Sequence, residues 1–233
     1  MSTVDVDTWE DIGNVHINLE DTKPVARQAV IAELAAKYGK DGSYLDLGCG
    51  RGDLSHAVKK LQPSAKISCA DAYQQCLDLA QSKFEVEKTY RLSETEFAPD
   101  KVIDERFDVV MISHVLEHIR DPLAAIQSVS RLLKPGGVAV VVVPNLGRPE
   151  LLVLNMLKRH YVNRGHVVGW DPSHFRNFLT RIAGLEVVEE ATDHVSLVPG
   201  APGRFISKTM GRWLAKRVPW WGGSIISVVR NPE

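Results

Sequence analysis

Residues 44–53, with the sequence YLDLGCGRGD, constrain the fold more than any other part of the chain. An apolar run containing Asp46 leads directly into glycines at alternate positions, Gly48, Gly50 and Gly52, and an apolar helical pattern follows at once. This order predicts a strand, a tight turn and the start of a helix. Glycine lacks the Cβ that would keep a ligand off the backbone, and the first turn of a helix offers unpaired N–H groups at its positive end. We therefore expect a bound anionic or polar group at this turn.

The spacing of the glycines distinguishes between two nucleoside cofactors. The dinucleotide fingerprint is G-x-G-x-x-G, whereas this turn reads G-x-G-x-G after an acidic residue, which favours S-adenosylmethionine over NAD. Residues 66–71 predict a second strand that ends in Asp71. A carboxylate at that place can accept hydrogen bonds from both hydroxyls of an adenosine ribose. The two segments therefore agree on a nucleoside ligand.

Three blocks of sequence resemble the class I S-adenosylmethionine-dependent methyltransferases, of the group that includes the ubiquinone O-methyltransferases. They are LDLGCGRG at residues 45–52, the pair Ala70-Asp71, and FDVVMISHVLEHIRDP at residues 107–122, which runs into LLKPGG at residues 132–137. Together they follow the family order. The resemblance implies a Rossmann-like, doubly wound α/β fold, with a mostly parallel seven-stranded sheet, an antiparallel seventh strand and helices on both faces. Alternating strand and helix patterns in the sequence indicate the same architecture.

The resemblance also implies a cofactor site for S-adenosyl-L-methionine. Asp46 would hold the methionine amino group, directly or through water, Gly48 and Gly50 would let the backbone approach, and Asp71 would bind the ribose. For Glu94, a predicted adenine contact, an ordinary solvated charge is the alternative. The full predicted cofactor-binding set is Asp46, Gly48, Cys49, Gly50, Asp71, Ala72, Glu94, Ser113, His114 and His118.

The string HVLEH at residues 114–118 also fits H-x-x-E-H, a zinc-protease signature in which two histidines one helical turn apart bind the metal. That motif needs a sustained helix, whereas here a strand precedes it and Asp121-Pro122 breaks the pattern. We therefore predict no metal. His114 and His118 instead fall at the carboxyl end of the fourth strand, where open α/β sheets place their chemistry. Either can act as a general base, since imidazole titrates near neutrality; shaping the pocket is the alternative role.

Residues 146–175 depart from the core pattern and are predicted to form a helical insertion that roofs the substrate pocket, because family members place substrate-selecting segments there. His166 and His174 belong to it, and surface histidines are the alternative for each. Asp171-Pro172 then begins a regular amphipathic helix that runs through Ile182 to Gly184. The predicted catalytic set is His114, His118, His166 and His174.

The composition fits one domain. A chain of 233 residues with 44% hydrophobic residues can bury one good core. We divide it into an N-terminal lid and helix (1–40), a cofactor-binding core (41–145), the roof (146–175) and C-terminal strands with a basic helical insertion (176–233). Within the core, residues 138–143 predict a fully buried strand.

Charge and hydropathy restrict the partners. A formal net charge of −1 argues against bulk nucleic-acid binding. The sequence shows neither a signal peptide nor a stretch of about 20 apolar residues, so we expect a cytoplasmic protein. Three cysteines without metal spacing suit reduced thiols. Basic residues recur at every fourth position late in the chain and are either a solvated face or a weak contact with a membrane or an acidic carrier: Arg204, Lys208, Arg212 and Lys216.

The sequence therefore predicts a small-molecule methyltransferase that works by direct displacement. The expected acceptor is an oxygen on a sugar, quinone, polyketide or lipid-linked compound. The alternatives are a catalytically silent cofactor-binding scaffold protein, an NAD-dependent oxidoreductase and a zinc hydrolase.

Overall fold

The computed structural model describes residues 26–148, 151, 156–157, 165–193, 213 and 217–232. The predicted lid, much of the predicted roof and the basic stripe at residues 204–216 lie outside these residues. The described strands are β1 (Ser43–Leu47), β2 (Lys66–Asp71), β3 (Thr89–Arg91), β4 (Phe107–Ser113), β5 (Leu133–Pro144), β6 (Glu186–Thr192) and β7 (Ser224–Arg230). The described α-helices are α1 (Ala26–Gly39), α2 (Asp53–Leu61), α3 (Gln74–Lys83), α4 (Pro122–Arg131) and α5 (Pro172–Asn177).

The strands form one sheet in the order β3-β2-β1-β4-β5-β7-β6. β7 is antiparallel to both β5 and β6, and the remaining pairs are parallel, which confirms the predicted doubly wound fold and its antiparallel seventh strand. Because β7 runs the opposite way, its first residue lies at the same edge of the sheet as the carboxyl ends of the other strands. This edge is called the active rim below, and it includes the ends of β1, β2, β4, β5 and β6.

Alternate side chains of the central strands pack into two separate hydrophobic cores, one on each face of the sheet. Val110 and Ile112 face a cluster that includes α4 and Phe175, whereas Val109 and Met111 face a second cluster that includes α1 and α2. Successive side chains of a strand point to opposite faces, so a strand covered by helices on both sides must be apolar throughout. The two cores explain why the residues of β4 and β5 near the centre of the sheet form unbroken apolar runs.

Two elements differ from the prediction. β5 begins at Leu133 rather than at residue 138, because Leu133 pairs with Phe107 before a register shift. The predicted regular helix after Asp171 changes at Phe178 into a π-helical turn that ends at Ile182. The wider turn rotates the following residues away from the expected face, and the Ile182 side chain is exposed rather than buried. None of the described helices is both long enough and apolar enough to cross a membrane.

Candidate active site

The glycine turn after β1 has three glycines with positive φ, Gly48 (71°), Gly50 (51°) and Gly52 (72°), and each has a different surrounding. A Cβ on Gly48 would lie 2.4 Å from Val115 Cγ2, and one on Gly52 would lie 2.7 Å from Ala80 Cβ. A Cβ on Gly50 would meet no atom of the described residues within 4 Å. Gly48 and Gly52 therefore allow close packing within the protein, while Gly50 leaves its backbone open to a ligand.

Asp71 connects the end of β2 to this turn. Its Oδ2 accepts a 2.9 Å hydrogen bond from the Gly50 N–H, and its Oδ1 accepts a 3.0 Å bond from the Tyr73 N–H. Burial raises the pKa of Asp71 above its ordinary value, although the N–H groups of Tyr73 and Gly50 act in the opposite direction. A carboxylate has about four lone-pair sites, so Asp71 can hold the turn and still accept from a ribose.

Asp46, near the end of β1, is only 2% exposed. The Ser55 hydroxyl, at the start of α2, donates a 2.7 Å hydrogen bond to its Oδ2. Burial raises the pKa of Asp46 to about 6; the Ser55 hydrogen bond opposes the shift, and the nearby charge of Asp71 adds to it. The carboxylate thus sits behind the glycine turn in an environment that favours the arrival of a cation.

The remaining predicted cofactor residues other than the histidines are Cys49, Ala72, Ser113 and Glu94, of which only Glu94 is exposed. The thiol of Cys49 is held protonated, because its hydrogen bond with Cys69 and its burial both raise its pKa. Ala72 and Ser113 are half-buried residues directly after β2 and at the end of β4. Glu94 is exposed and pairs with Arg91 at 2.5 Å, as an ordinary solvated charge does. Its predicted adenine contact stays a prediction.

His114 follows β4 directly and has a φ of 56°, an uncommon value for a residue with a Cβ. Its Nε2 lies 3.1 Å from the hydroxyl of Ser224, the first residue of β7. Its Nδ1 lies 3.3 Å from Oε1 of Glu117, in a geometry too poor for a hydrogen bond. Backbone strain of this kind persists where surrounding contacts hold the residue in place, and it concentrates at functional sites.

Glu117 is the buried charge around which three of the predicted histidines gather. It is 1% exposed, and among the residues that the structure describes neither carboxylate oxygen has a hydrogen-bond partner. Nε2 of His166 lies 4.0 Å from Glu117 Oε1, and the rings of His118 and His166 meet edge to face. Burial acts to raise the pKa of Glu117, but His114, followed by the charge of His118, outweighs it, so this pKa lies below its ordinary value.

The same groups set what the cluster can bind. Glu117, His118 and His166 offer ligand atoms within 4.8 Å of one another, and two imidazoles with a carboxylate suit a divalent transition metal. Nδ1 of His118 is already used, because it lies 2.9 Å from the Gly165 carbonyl oxygen, which can only accept. The sequence-based prediction of no metal stays a prediction.

His174 is not part of this cluster. It lies in the first turn of α5, its side chain is 82% exposed, and its Nδ1 pairs with Asp171, the residue that caps the helix. Its predicted catalytic role stays a prediction. Sequence reasoning missed Ser224, which contacts His114; Asp193, which binds Ser224; and Arg27, whose charge acts on Asp193 and Glu117. They come from β7, the end of β6 and α1, and no local pattern connects them to residues 114–118.

Comparison with known proteins agrees with this geometry. Residues 20–190 match a family described as a methyltransferase domain. The ubiquinone biosynthesis O-methyltransferase of Dinoroseobacter shibae is 29% identical over 198 residues, which cover 78% of this chain and 75% of that protein. The corresponding protein of Actinobacillus pleuropneumoniae is 33% identical over 137 residues, which cover 56% of this chain and 57% of that protein.

Solved structures show the same fold at low sequence identity. A methyltransferase in complex with the Haloferax volcanii Trm112 activator matches with a TM-score of 0.63 at 18% sequence identity. The match covers 98% of this chain and 97% of the other chain. The plantazolicin methyltransferase BpumL, solved with S-adenosylhomocysteine, has a TM-score of 0.61 at 16% identity, covering 96% of this chain and 90% of its own.

The chain belongs to the methyltransferase domain family. It is an S-adenosylmethionine-dependent methyltransferase, and the residues present fit that cofactor, since the open glycine Gly50 donates to one buried carboxylate, Asp71, in a turn that follows a second, Asp46. This assignment decides for methyl transfer over the oxidoreductase and hydrolase alternatives.

Proposed function

We propose that the protein transfers the methyl group of S-adenosylmethionine to an oxygen of a small molecule, with His114 as the general base. One observation carries this proposal: the residue beside His114, Val115, packs against Gly48 of the cofactor turn, where a Cβ would lie only 2.4 Å from it. A proton acceptor and the expected methyl donor site are therefore contiguous at the active rim. The ubiquinone biosynthesis O-methyltransferases among the relatives support an oxygen acceptor, and we favour a phenol of quinone type.

The cofactor supplies an electrophilic methyl group on a positively charged sulfur. Asp46 holds the cationic amino end, Asp71 holds the ribose hydroxyls, and the bare backbone at Gly50 permits close approach. His114 takes the acceptor proton, and the buried carboxylate of Glu117, 3.3 Å from Nδ1, stabilises the imidazolium that forms. Alignment supplies much of the acceleration, since orientation effects can reach about 7–11 kcal/mol.

His114 is the best placed of the predicted histidines. Its side chain is 23% exposed, so that a substrate can reach it, whereas His118 is 7% exposed and fixed to a backbone carbonyl. His166 is 17% exposed but lies further from Glu117. We propose that His118 and His166 shape the pocket around the acceptor, and that residues 146–175, to which His166 belongs, form its roof.

The test is turnover of labelled S-adenosylmethionine with a panel of phenols, catechols, sugars and carboxylic acids, with the product identified by mass spectrometry. We expect methyl ethers of phenols or catechols, and loss of turnover in His114→Asn, which suits a positive φ. Products methylated on nitrogen or carbon would contradict the oxygen assignment. Cofactor binding with no turnover on any acceptor would favour the scaffold alternative.

The other expectations have their own tests. If no metal takes part, turnover should persist after dialysis against a chelator, and elemental analysis should find no metal in the protein.

A cytoplasmic location follows if all activity stays in the supernatant of lysed cells. Liposome sedimentation tests the basic stripe. If the stripe contacts lipid, the protein should bind anionic vesicles, and this binding should disappear when the four basic side chains are replaced by neutral ones: Arg204, Lys208, Arg212 and Lys216.

A further inference from the structure

A buried carboxylate outside the sequence blocks that carry the family resemblance binds the residue that contacts His114. Asp193 directly follows β6 and is 3% exposed. Its Oδ1 accepts a 3.0 Å hydrogen bond from the Ser224 backbone N–H, and its Oδ2 accepts a 3.1 Å bond from the Ser224 hydroxyl. The carboxylate thus holds both the backbone and the side chain of the residue that contacts His114.

The topology of the sheet brings these three residues together. β6 and β7 are antiparallel, so the end of β6 lies beside the start of β7, and Thr192 pairs with Ile225. β7 is also antiparallel to β5, which places Ser224 opposite Pro144 at the active rim. Thr192 Oγ1 fixes this corner further by donating a 2.7 Å hydrogen bond to the Ser224 carbonyl oxygen.

The direction of the hydrogen bonds determines the tautomer of the imidazole. A serine hydroxyl has one proton, and a carboxylate only accepts, so the Ser224 proton is used towards Asp193. Ser224 Oγ must then accept from His114, and the 3.1 Å contact is an Nε2–H···Oγ hydrogen bond. A neutral imidazole with its proton on Nε2 has its free lone pair on Nδ1, which is the nitrogen beside Glu117.

We propose that Asp193 is a positioning residue that acts through Ser224 to keep His114 in the Nε2–H tautomer, with Nδ1 available to take the acceptor proton. Arg27, half-buried in α1, provides a favourable charge for both Asp193 and Glu117. Hydrogen bonds therefore connect the ends of β6 and β7 to His114, and the charge of Arg27 acts on two carboxylates of this group. The inference rests on the proposed role of His114, but the tautomer itself can be measured without any acceptor.

Asp193→Asn is the decisive variant. Asparagine keeps the shape and can still accept from the Ser224 N–H through its oxygen, but its NH₂ group donates to the Ser224 hydroxyl. Ser224 would then donate to His114, which reverses the tautomer to Nδ1–H. We expect ¹⁵N spectra of protein labelled at its histidines to show this reversal for the resonances of His114. These resonances are assigned as the ones that disappear in His114→Asn.

The kinetic counterpart is a fall in kcat with unchanged KM for S-adenosylmethionine. Since general bases contribute about 10²–10⁴-fold, we expect a loss of at least about 100-fold. Ser224→Ala, which removes the acceptor of the Nε2–H group and keeps Asp193, should give a mixture of tautomers and a smaller loss. It also serves as the test variant if Asp193→Asn does not fold.

Asp100→Asn is the matched control, because Asp100 also hydrogen-bonds a serine, Ser128, outside the described active rim. It should leave both the His114 tautomer and kcat unchanged. An unchanged His114 tautomer in Asp193→Asn, or a reversed tautomer with wild-type kcat, would overturn the inference. Failure of the proposed function itself looks different, because the wild-type protein would then methylate no oxygen acceptor while the tautomer shift is still observed.

Discussion

The backbone N–H of Gly50 donates a 2.9 Å hydrogen bond to Oδ2 of Asp71, which joins the glycine turn after β1 to the carboxylate at the end of β2. Two residues 21 positions apart in the sequence therefore form one unit at the active rim. Asp71 orders the backbone of this turn, and in the proposed cofactor site its remaining lone pairs would accept hydrogen bonds from the ribose. Variants of Asp71 must therefore distinguish the loss of order in the glycine turn from the loss of a direct hydrogen bond to the cofactor.

Replacing Asp71 tests the ribose assignment. Asp71→Asn keeps an acceptor for the Gly50 N–H but removes the charge, whereas Asp71→Ala removes both. Since hydrogen bonds to charged groups contribute about 1.5–3 kcal/mol, we expect the dissociation constant of S-adenosylhomocysteine to rise about 10- to 100-fold in Asp71→Asn, and further in Asp71→Ala. Isothermal titration calorimetry measures both.

Asp108→Asn is the control for Asp71. Asp108 also accepts from a backbone N–H, that of Ser43 at 2.8 Å, but it lies at the start of β4, away from the active rim. We expect a change in thermal stability and an unaltered affinity for S-adenosylhomocysteine. Wild-type affinity in Asp71→Ala would show that the cofactor lies elsewhere.

Gly50→Ala tests whether the open face of the turn belongs to the cofactor. Gly136 provides a matched comparison, because both glycines have positive φ and a Cβ on either would meet no atom within 4 Å. Both alanine variants should lose stability through backbone strain of about 1–2 kcal/mol. Only Gly50→Ala should lose cofactor affinity, measured by calorimetry beside thermal melts. Equal affinity in the two variants would remove Gly50 from the site.

The pH dependence of cofactor binding should report Asp46. Its pKa in the free protein is raised by burial to about 6, and a cationic amino group binds the ionised form. The affinity for S-adenosylhomocysteine should therefore fall below pH 6, by about tenfold per pH unit, with a proton released on binding. Calorimetry in buffers of different ionisation enthalpy measures this release.

The same shift has a stability consequence of opposite sign. Because the folded pKa of Asp46 lies above the unfolded value, the unliganded protein binds this proton more tightly when folded. The resulting stabilisation is complete below the unfolded pKa and is lost as the pH rises through about 6. Asp46→Asn should remove both effects, and an unchanged pH profile in that variant would assign the titration to another group.

Local sequence signals carried the prediction of the fold and of the cofactor turn. The glycine spacing and the apolar run of β4 each act within a few residues, and the alternation of strands and helices follows from such patterns. The π-helical turn at Phe178 escaped prediction because apolar spacing near Phe175 fits both helix types until tertiary packing selects one.

The polar contacts of His114 could not be predicted for a different reason. Ser224 is 110 positions away from it, and Asp193 is joined to it only through Ser224. Their meeting depends on the reversed direction of β7, which the resemblance implied without indicating which side chains would face the rim. Glu117 was visible within the H-x-x-E-H string, but its burial was not, since a glutamate among polar neighbours is ordinarily solvated.

Asn145 should be the most sensitive polar residue of the corner that presents Ser224. It is 1% exposed, and its side-chain NH₂ donates to the carbonyl oxygens of Trp220 (2.8 Å) and Gly222 (3.0 Å), while its oxygen accepts from Gly147 N–H. Asn145→Ala would leave these three backbone groups without their partner. Since a buried unsatisfied group costs about 1–3 kcal/mol, we expect the free energy of unfolding to fall by about 2–4 kcal/mol in urea denaturation.

Asn231→Ala is the control, because it loses one exposed 3.1 Å hydrogen bond to the Ser130 carbonyl oxygen. This variant should change the free energy of unfolding by no more than about 0.5 kcal/mol. Equal effects in the two variants would mean that Asn145 does not hold the corner.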